Sequence, residues 1–162
     1  MIPLAVHPAA KLNSRSNVGF SQLIAIMCSI CVHFIINPLC YLADMYIDTT
    51  EKLQKLCEAV KKTKVIGFDT EFMRERTFFP ILCLIQLNIE GKAYAIDPLK
   101  VDVKELLEIL VKAPMLVFHS GRQDLEIIYN LIGKLPKNIF DTQIAAMVCG
   151  FGEQVSYQQL VQ

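Results

Sequence analysis

From residue 45 onward the chain alternates between two spacings of apolar residues, and the alternation predicts an architecture. Leu53, Leu56, Cys57 and Val60 recur at i, i+3, i+4 and i+7, one face of an amphipathic helix, and Asp48 followed by Glu51 has the spacing of a capping box at its start. Residues 65–70 (VIGFDT) form a short β-branched run without polar alternation, as expected for a strand buried on both faces. Two further apolar runs, 82–88 and 93–96, are separated by Ile89, Glu90, Gly91 and Lys92, a glycine-containing connection suited to a β-hairpin. Leu106, Leu107, Leu110 and Val111 then give a second helical face, and Pro114 separates it from a buried-type strand at 115–119. Ser120 is placed to cap a third helix carrying Leu125, Ile128, Tyr129 and Ile132; a loop at 134–137, a short strand at 139–141 and a helix at 142–149 follow. The order αβββαβαβα, a meander followed by helices alternating with buried strands, predicts an α/β domain with a mixed sheet flanked by helices.

Composition divides the chain in two. Residues 16–43 contain no Asp, Glu, Lys or Arg, whereas charges recur every few residues from Asp44 onward. Residues 20–36 are apolar but interrupted by Ser21, Gln22, Ser29 and His33, short of the roughly 20 mostly apolar residues that a membrane span needs. Lys11 and Arg15 precede this stretch in the order of a signal peptide or inside-positive anchor, without a convincing small-x-small cleavage site near Ala43. Residues 1–44 are therefore expected to be an extension lying outside the folded unit, with Met45 as the natural start; the alternative is a membrane anchor through residues 20–36.

The six cysteines (Cys28, Cys31, Cys40, Cys57, Cys83 and Cys149) are scattered, half of them in the leader, and do not form a disulfide framework. A reducing, cytoplasmic compartment is expected. Cys28 and Cys31 make a lone CxxC in an apolar context, and read as small hydrophobes rather than metal or redox groups. Lys plus Arg balance Asp plus Glu at 16 each, so no overall positive field announces a nucleic-acid partner, and nucleic-acid binding has to be argued from a site.

That site begins with Asp69 and Glu71. A D-x-E at the end of a buried strand points both carboxylates to one side, roughly 7 Å apart at Cα. Grouped carboxylates repel one another unless a cation offsets them, and hard oxygen ligands suit Mg²⁺ or Mn²⁺. Asp124 lies one turn into the helix after a second buried strand, where ligands gather in α/β sheets. It falls outside the Leu125, Ile128, Tyr129 and Ile132 stripe, so packing need not bury it; it is either a third metal ligand or a first-turn acid favoured by the helix dipole. Asp141, at the start of a helix after a strand, reads as an N-cap rather than a ligand.

The runs FDTEFMRERTFFPILCLIQL (68–87), AIDPL (95–99), HSGRQDLE (119–126), FDTQIAA (140–146) and SYQQLV (156–161) are similar, in order and spacing, to ribonuclease D. That family belongs to the DEDD 3′–5′ exonucleases, which have a ribonuclease H-like fold and place four carboxylates around two divalent metals. The resemblance implies that Asp69 and Glu71 supply the first motif and Asp124 the second. Asp69 would bridge both ions, Glu71 would serve the ion that activates water, and Asp124 would serve the other. It further implies trimming of RNA 3′ ends, including transfer-RNA precursors, with Arg74, Arg76 and Arg122 near backbone phosphates. Phe78 and Phe79 are candidates to stack on a terminal base and His119 to contact substrate; solvated surface, edge packing and a structural hydrogen bond are the respective alternatives. The third motif, a Tyr followed four residues later by the fourth Asp, is expected some tens of residues beyond Leu160, and Tyr157 does not correspond to it. Residues 45–162 are thus expected to be part of an exonuclease domain with an incomplete metal site, completed by a separately encoded C-terminal piece. The rival readings are an inactive nucleic-acid-binding fragment and a membrane-anchored interaction module.

Overall fold

The computed structural model describes residues 45–74 and 78–160. Residues 1–44, with the apolar stretch 20–36 and Cys28, Cys31 and Cys40, lie outside the described residues, as does Arg76. Among the described residues no helix is long and apolar enough to cross a membrane.

The elements in chain order are β1 (Tyr46–Ile47), α1 (Thr50–Lys62), β2 (Ile66–Met73), β3 (Ile81–Ile89), β4 (Lys92–Ile96), α2 (Lys104–Leu110), β5 (Leu116–Phe118), α3 (Arg122–Ile132), β6 (Ile139–Asp141), α4 (Thr142–Val148) and α5 (Tyr157–Leu160). The sheet has the order β1-β4-β3-β2-β5-β6. The expected meander β2–β3–β4 is antiparallel, and β1, β5 and β6 run parallel to β4, β2 and β5 respectively. The mixed α/β sheet predicted from spacing is therefore present, with β2 near its centre. The two-residue β1 and the short α5 were not foreseen, because neither is long enough to show a period.

Local chemistry explains most element ends. The β3–β4 connection is the two-residue turn Glu90-Gly91, with φ of 51° and 81°, the doubly left-handed geometry that matches strand twist in hairpins. Helix α1 buries the predicted Leu53, Leu56, Cys57 and Val60. Its N-cap, however, is Thr49, whose hydroxyl accepts from Lys52 N; Asp48 instead pairs with the Lys52 ammonium at 2.9 Å. The Asp48–Glu51 capping box is thus corrected by one residue, since a threonine next to the acid caps the helix one position later, at the amide of Lys52 rather than of Glu51.

One face of the sheet carries Ile66, Phe68, Ile85, Leu87, Leu116 and Phe118, each 0 or 1 % exposed, packed with the apolar faces of α1, α2 and α3. Phe68 and Phe118 sit 5.5 Å apart across the β2–β5 pair. Immediately beyond, the chain turns sharply into α3. The N-cap of α3 is Gly121, not Ser120, and no side chain caps it. A Cβ at Gly121 would lie 2.5 Å from Phe118 Cβ, so only glycine lets the helix start so close to the end of β5.

This contact generates the first prediction. Gly121→Ala should lower stability by about 1–3 kcal/mol through overpacking against Phe118, although the backbone angles at Gly121 suit alanine. Urea unfolding followed by circular dichroism measures it; an unchanged midpoint would show that Phe118 moves aside freely.

Candidate active site

Strands β2 and β5 pair only through Ile66–Leu116 and Gly67–Val117, whereas β2 continues to Met73 against β3. A crevice therefore opens beside the second half of β2, at the carboxyl ends of two parallel strands. Asp69 and Glu71 lie on this unpaired half. Their partners Gln86 and Leu84 place them on the same face of the sheet, as the D-x-E spacing predicts. Directly after Glu71 the β2–β3 register shifts: Glu71 faces Leu84 but Phe72 faces Leu82, so β3 carries one extra residue, Cys83. Such a bulge bends the strand and re-aims the side chains beside it. No spacing in the sequence announces it.

Asp124, in the first turn of α3, reaches the same crevice from the other side. It is 6 % exposed, and the buried residues of α3 are Asp124, Ile127 and Ile128. Packing thus buries Asp124, although its place outside the predicted apolar stripe did not require it. The buried stripe of α3 is rotated, so that Tyr129, expected inside, is largely exposed. The Thr70 hydroxyl donates to Asp124 Oδ1 at 2.5 Å and ties the helix to the strand between the first two carboxylates. Thr70 was not singled out from sequence; its position inside the D-x-E was the available signal.

The electrostatics follow from this packing. Burial raises the Asp69 pKa to about 7, helped by the negative charges of Asp124 and Glu71. Burial also raises Asp124, and the Thr70 hydrogen bond partly opposes the shift. Glu71 is exposed. Among the described residues, no three or more His, Cys, Asp or Glu side chains converge closely enough to hold a metal ion between them. The three carboxylates instead form an open set of hard oxygen donors. Two are desolvated and crowded by like charge, an arrangement that a divalent cation relieves. In donor chemistry Asp69, Asp124 and Glu71 fit a divalent metal, with Asp124 Oδ1 engaged by Thr70.

Arg74, just past β2, pairs with Glu126 of α3 at 2.8 Å, both about two-fifths exposed. Phe78 and Phe79 are exposed, 86 and 59 %, and meet edge to face at 4.9 Å. They are therefore not part of the core. Arg122 is exposed at the start of α3. His119 is partly buried, with Nδ1 2.9 Å from the Thr142 hydroxyl, and burial lowers its pKa. Asp141 caps α4, as expected, accepting from Gln143 N and Ile144 N.

A profile of the family described as 3′–5′ exonuclease matches residues 45–162. Ribonuclease D of Sphingobium indicum is 49 % identical over 119 residues, 71 % of this chain and 31 % of the relative; ribonuclease D of Bartonella henselae is 43 % identical over 119 residues, 72 % and 29 %. The chain thus spans about a third of the length of the curated relatives it matches. Among solved structures, Escherichia coli RNase D, described as an exoribonuclease involved in structured RNA processing, superposes with a TM-score of 0.66 at 39 % identity, covering 72 % of this chain and 32 % of that one. Trypanosoma brucei RNase D in complex with RNA U12 superposes with a TM-score of 0.54 over 61 % of this chain and 37 % of that one; at 22 % identity it speaks for the fold alone. These likenesses agree with the ribonuclease H-like sheet expected from the motifs.

The crowded carboxylates predict a pH dependence. Asp69 keeps its proton in the folded state up to about pH 7, whereas the unfolded chain releases it near the ordinary value of 3.8. Between those values the unfolded state binds fewer protons, so stability falls as pH rises and the loss is complete above about 7. In chelator-containing buffer, Asp69→Asn should match the unaltered chain near pH 4 and exceed it by ~1–3 kcal/mol at pH 8. Unfolding free energies across this range would refute the crowding if the two chains stayed parallel.

Proposed function

This chain belongs to the 3′–5′ exonuclease family, and from that membership we propose that it carries a ribonuclease D-type exoribonuclease site. The observation that carries this reading is the meeting of half-buried Asp69 with buried Asp124, both of raised pKa, beside exposed Glu71 in a crevice at strand ends. The family depends on divalent metal ions, and in this reading Asp69, Glu71 and Asp124 hold Mg²⁺ or Mn²⁺ in a two-metal arrangement. Bound there, the ions would supply a water of lowered pKa and offset charge at the scissile phosphate.

The chain's own groups do the rest. Asp69 and Asp124, ionised once a cation relieves them, fix the position of the ions relative to β2 and α3. The exposed Phe78–Phe79 pair offers a stacking surface for the base at an RNA 3′ end, a contact tolerant of sequence because every base has a π-face. Arg74 can exchange Glu126 for a backbone phosphate at little cost, because an exposed ion pair contributes no more than about 1 kcal/mol. Arg122 extends the same basic rim, and His119, held by Thr142, lines the turn beneath it. With charges balanced over the whole chain, RNA attraction in this reading comes from these groups and the metals.

The substrates in this reading are RNA 3′ ends such as those of transfer-RNA precursors. A fourth carboxylate and a water-positioning tyrosine would complete the site in this reading. A 5′-labelled single-stranded RNA should stay nearly intact with residues 45–162 alone, and with a ribonuclease D-type C-terminal segment added should shorten one nucleotide at a time from its 3′ end with Mg²⁺ and stop with chelator. Asp69→Asn and Asp124→Asn should each lower the rate by about 100-fold or more, equivalent to ~2.7 kcal/mol of transition-state stabilisation. Shortening that survives chelator and both substitutions would overturn the assignment.

A further inference from the structure

Asp141 makes more hydrogen bonds than a helix cap needs. Capping α4 takes one side-chain oxygen, and Oδ1 provides it for Gln143 N at 2.9 Å and Ile144 N at 3.4 Å. The same carboxylate also reaches back some twenty residues. Oδ1 accepts from Ser120 N at 3.0 Å, and Oδ2 accepts from Gly121 N at 2.9 Å. Asp141 therefore clasps the turn that launches α3, the helix on which Asp124 stands three residues later.

That turn needs holding. Ser120 has φ of 60°, a left-handed conformation that a non-glycine residue keeps only when its surroundings fix it. Gly121 has no room for a Cβ beside Phe118 and, as the N-cap, supplies no side-chain cap to α3. The residue after Asp141 adds to the clasp: the Thr142 hydroxyl donates to the Phe118 carbonyl at 3.0 Å and lies 2.9 Å from His119 Nδ1. Residues 118–121 are thus tied to the start of α4 at four successive positions. Asp124, in turn, meets Thr70 at 2.5 Å, a contact that a shift of about 1 Å in the α3 N-terminus would break.

We propose that Asp141 is a positioning residue for Asp124: it fixes the Ser120–Gly121 turn so that the Asp124 carboxylate arrives beside Thr70 and Asp69, without itself touching metal or substrate. The role assigned to Asp124 rests on the function proposed above, whereas the clasp on the turn does not.

Two substitutions separate capping from positioning. Asp141→Ser retains an N-cap hydroxyl but is too short to reach the turn. Asp141→Asn retains Oδ1 and places an amide donor where Oδ2 met the Gly121 N–H. In the full chain, both should speed amide exchange at Gly121 and the first turn of α3 by about tenfold or more while leaving Gln143 and Ile144 protected. Both should also weaken Mn²⁺ binding, read by paramagnetic resonance, by about tenfold, in the range found for groups that orient metal ligands. Unchanged exchange at Gly121 in both variants would overturn the proposal. So would a loosened turn with unaltered Mn²⁺ affinity, provided Asp124→Asn abolishes that affinity. If the unaltered chain bound no Mn²⁺, the function proposed above would fall, and exchange would still decide the clasp.

Discussion

Like charges buried side by side are the constraint on which this structure turns. Asp124 is buried and Asp69 half-buried, and the negative charge of Asp124 makes Asp69 harder to ionise. A fold left to maximise its stability would move them apart or replace one. Here they are held together by groups with little other use for their geometry: the Thr70 hydroxyl, the bulge at Cys83 and the turn at Ser120–Gly121. Local strain and crowded charge gather where chemistry is done, and the surrounding core offsets them.

The scaffold that tolerates this is rigid where rigidity matters. Strand β2 is paired along its whole length to β3, while its pairing with β5 ends after Gly67. Asp69 and Glu71 therefore sit on a strand fixed on one side and open on the other. The open side faces the N-terminus of α3, which is anchored below by Ile127 and Ile128 in the core and above by the Phe118–Gly121 contact. Carboxylates placed on regular elements rather than loops keep their separation to within the tolerance a metal site requires.

Charge is organised at the same short range. The chain as a whole is neutral, yet among the described residues no basic side chain pairs with the acidic groups at the crevice, whereas Arg74 is occupied by Glu126. The crevice in its cation-free form repels phosphate, so in the proposed reaction a divalent ion both completes the site and reverses its sign. The exposed Phe78–Phe79 pair would, in the same proposal, add binding that does not depend on charge.

By itself the sequence determined the features that depend on spacing along the chain: the helical face of α1, the buried β2, the β3–β4 hairpin, and the shared face of Asp69 and Glu71. Backbone geometry repeats every 2 or 3.6 residues, so such patterns are written locally. Tertiary structure decided the rest. Helix α3 carries two apolar stripes one residue apart, Leu125-Ile128-Ile132 and Ile127-Ile128, and only its docking on the sheet selected the one that buries Asp124. The Thr70–Asp124 bond spans 54 residues, the Arg74–Glu126 pair 52, and the Asp141 clasp 20 and 21. Side chains that meet at such separations carry no local period. What they touch is fixed by strand order and by the angle at which a helix leaves the sheet, and neither of these is written in neighbouring residues.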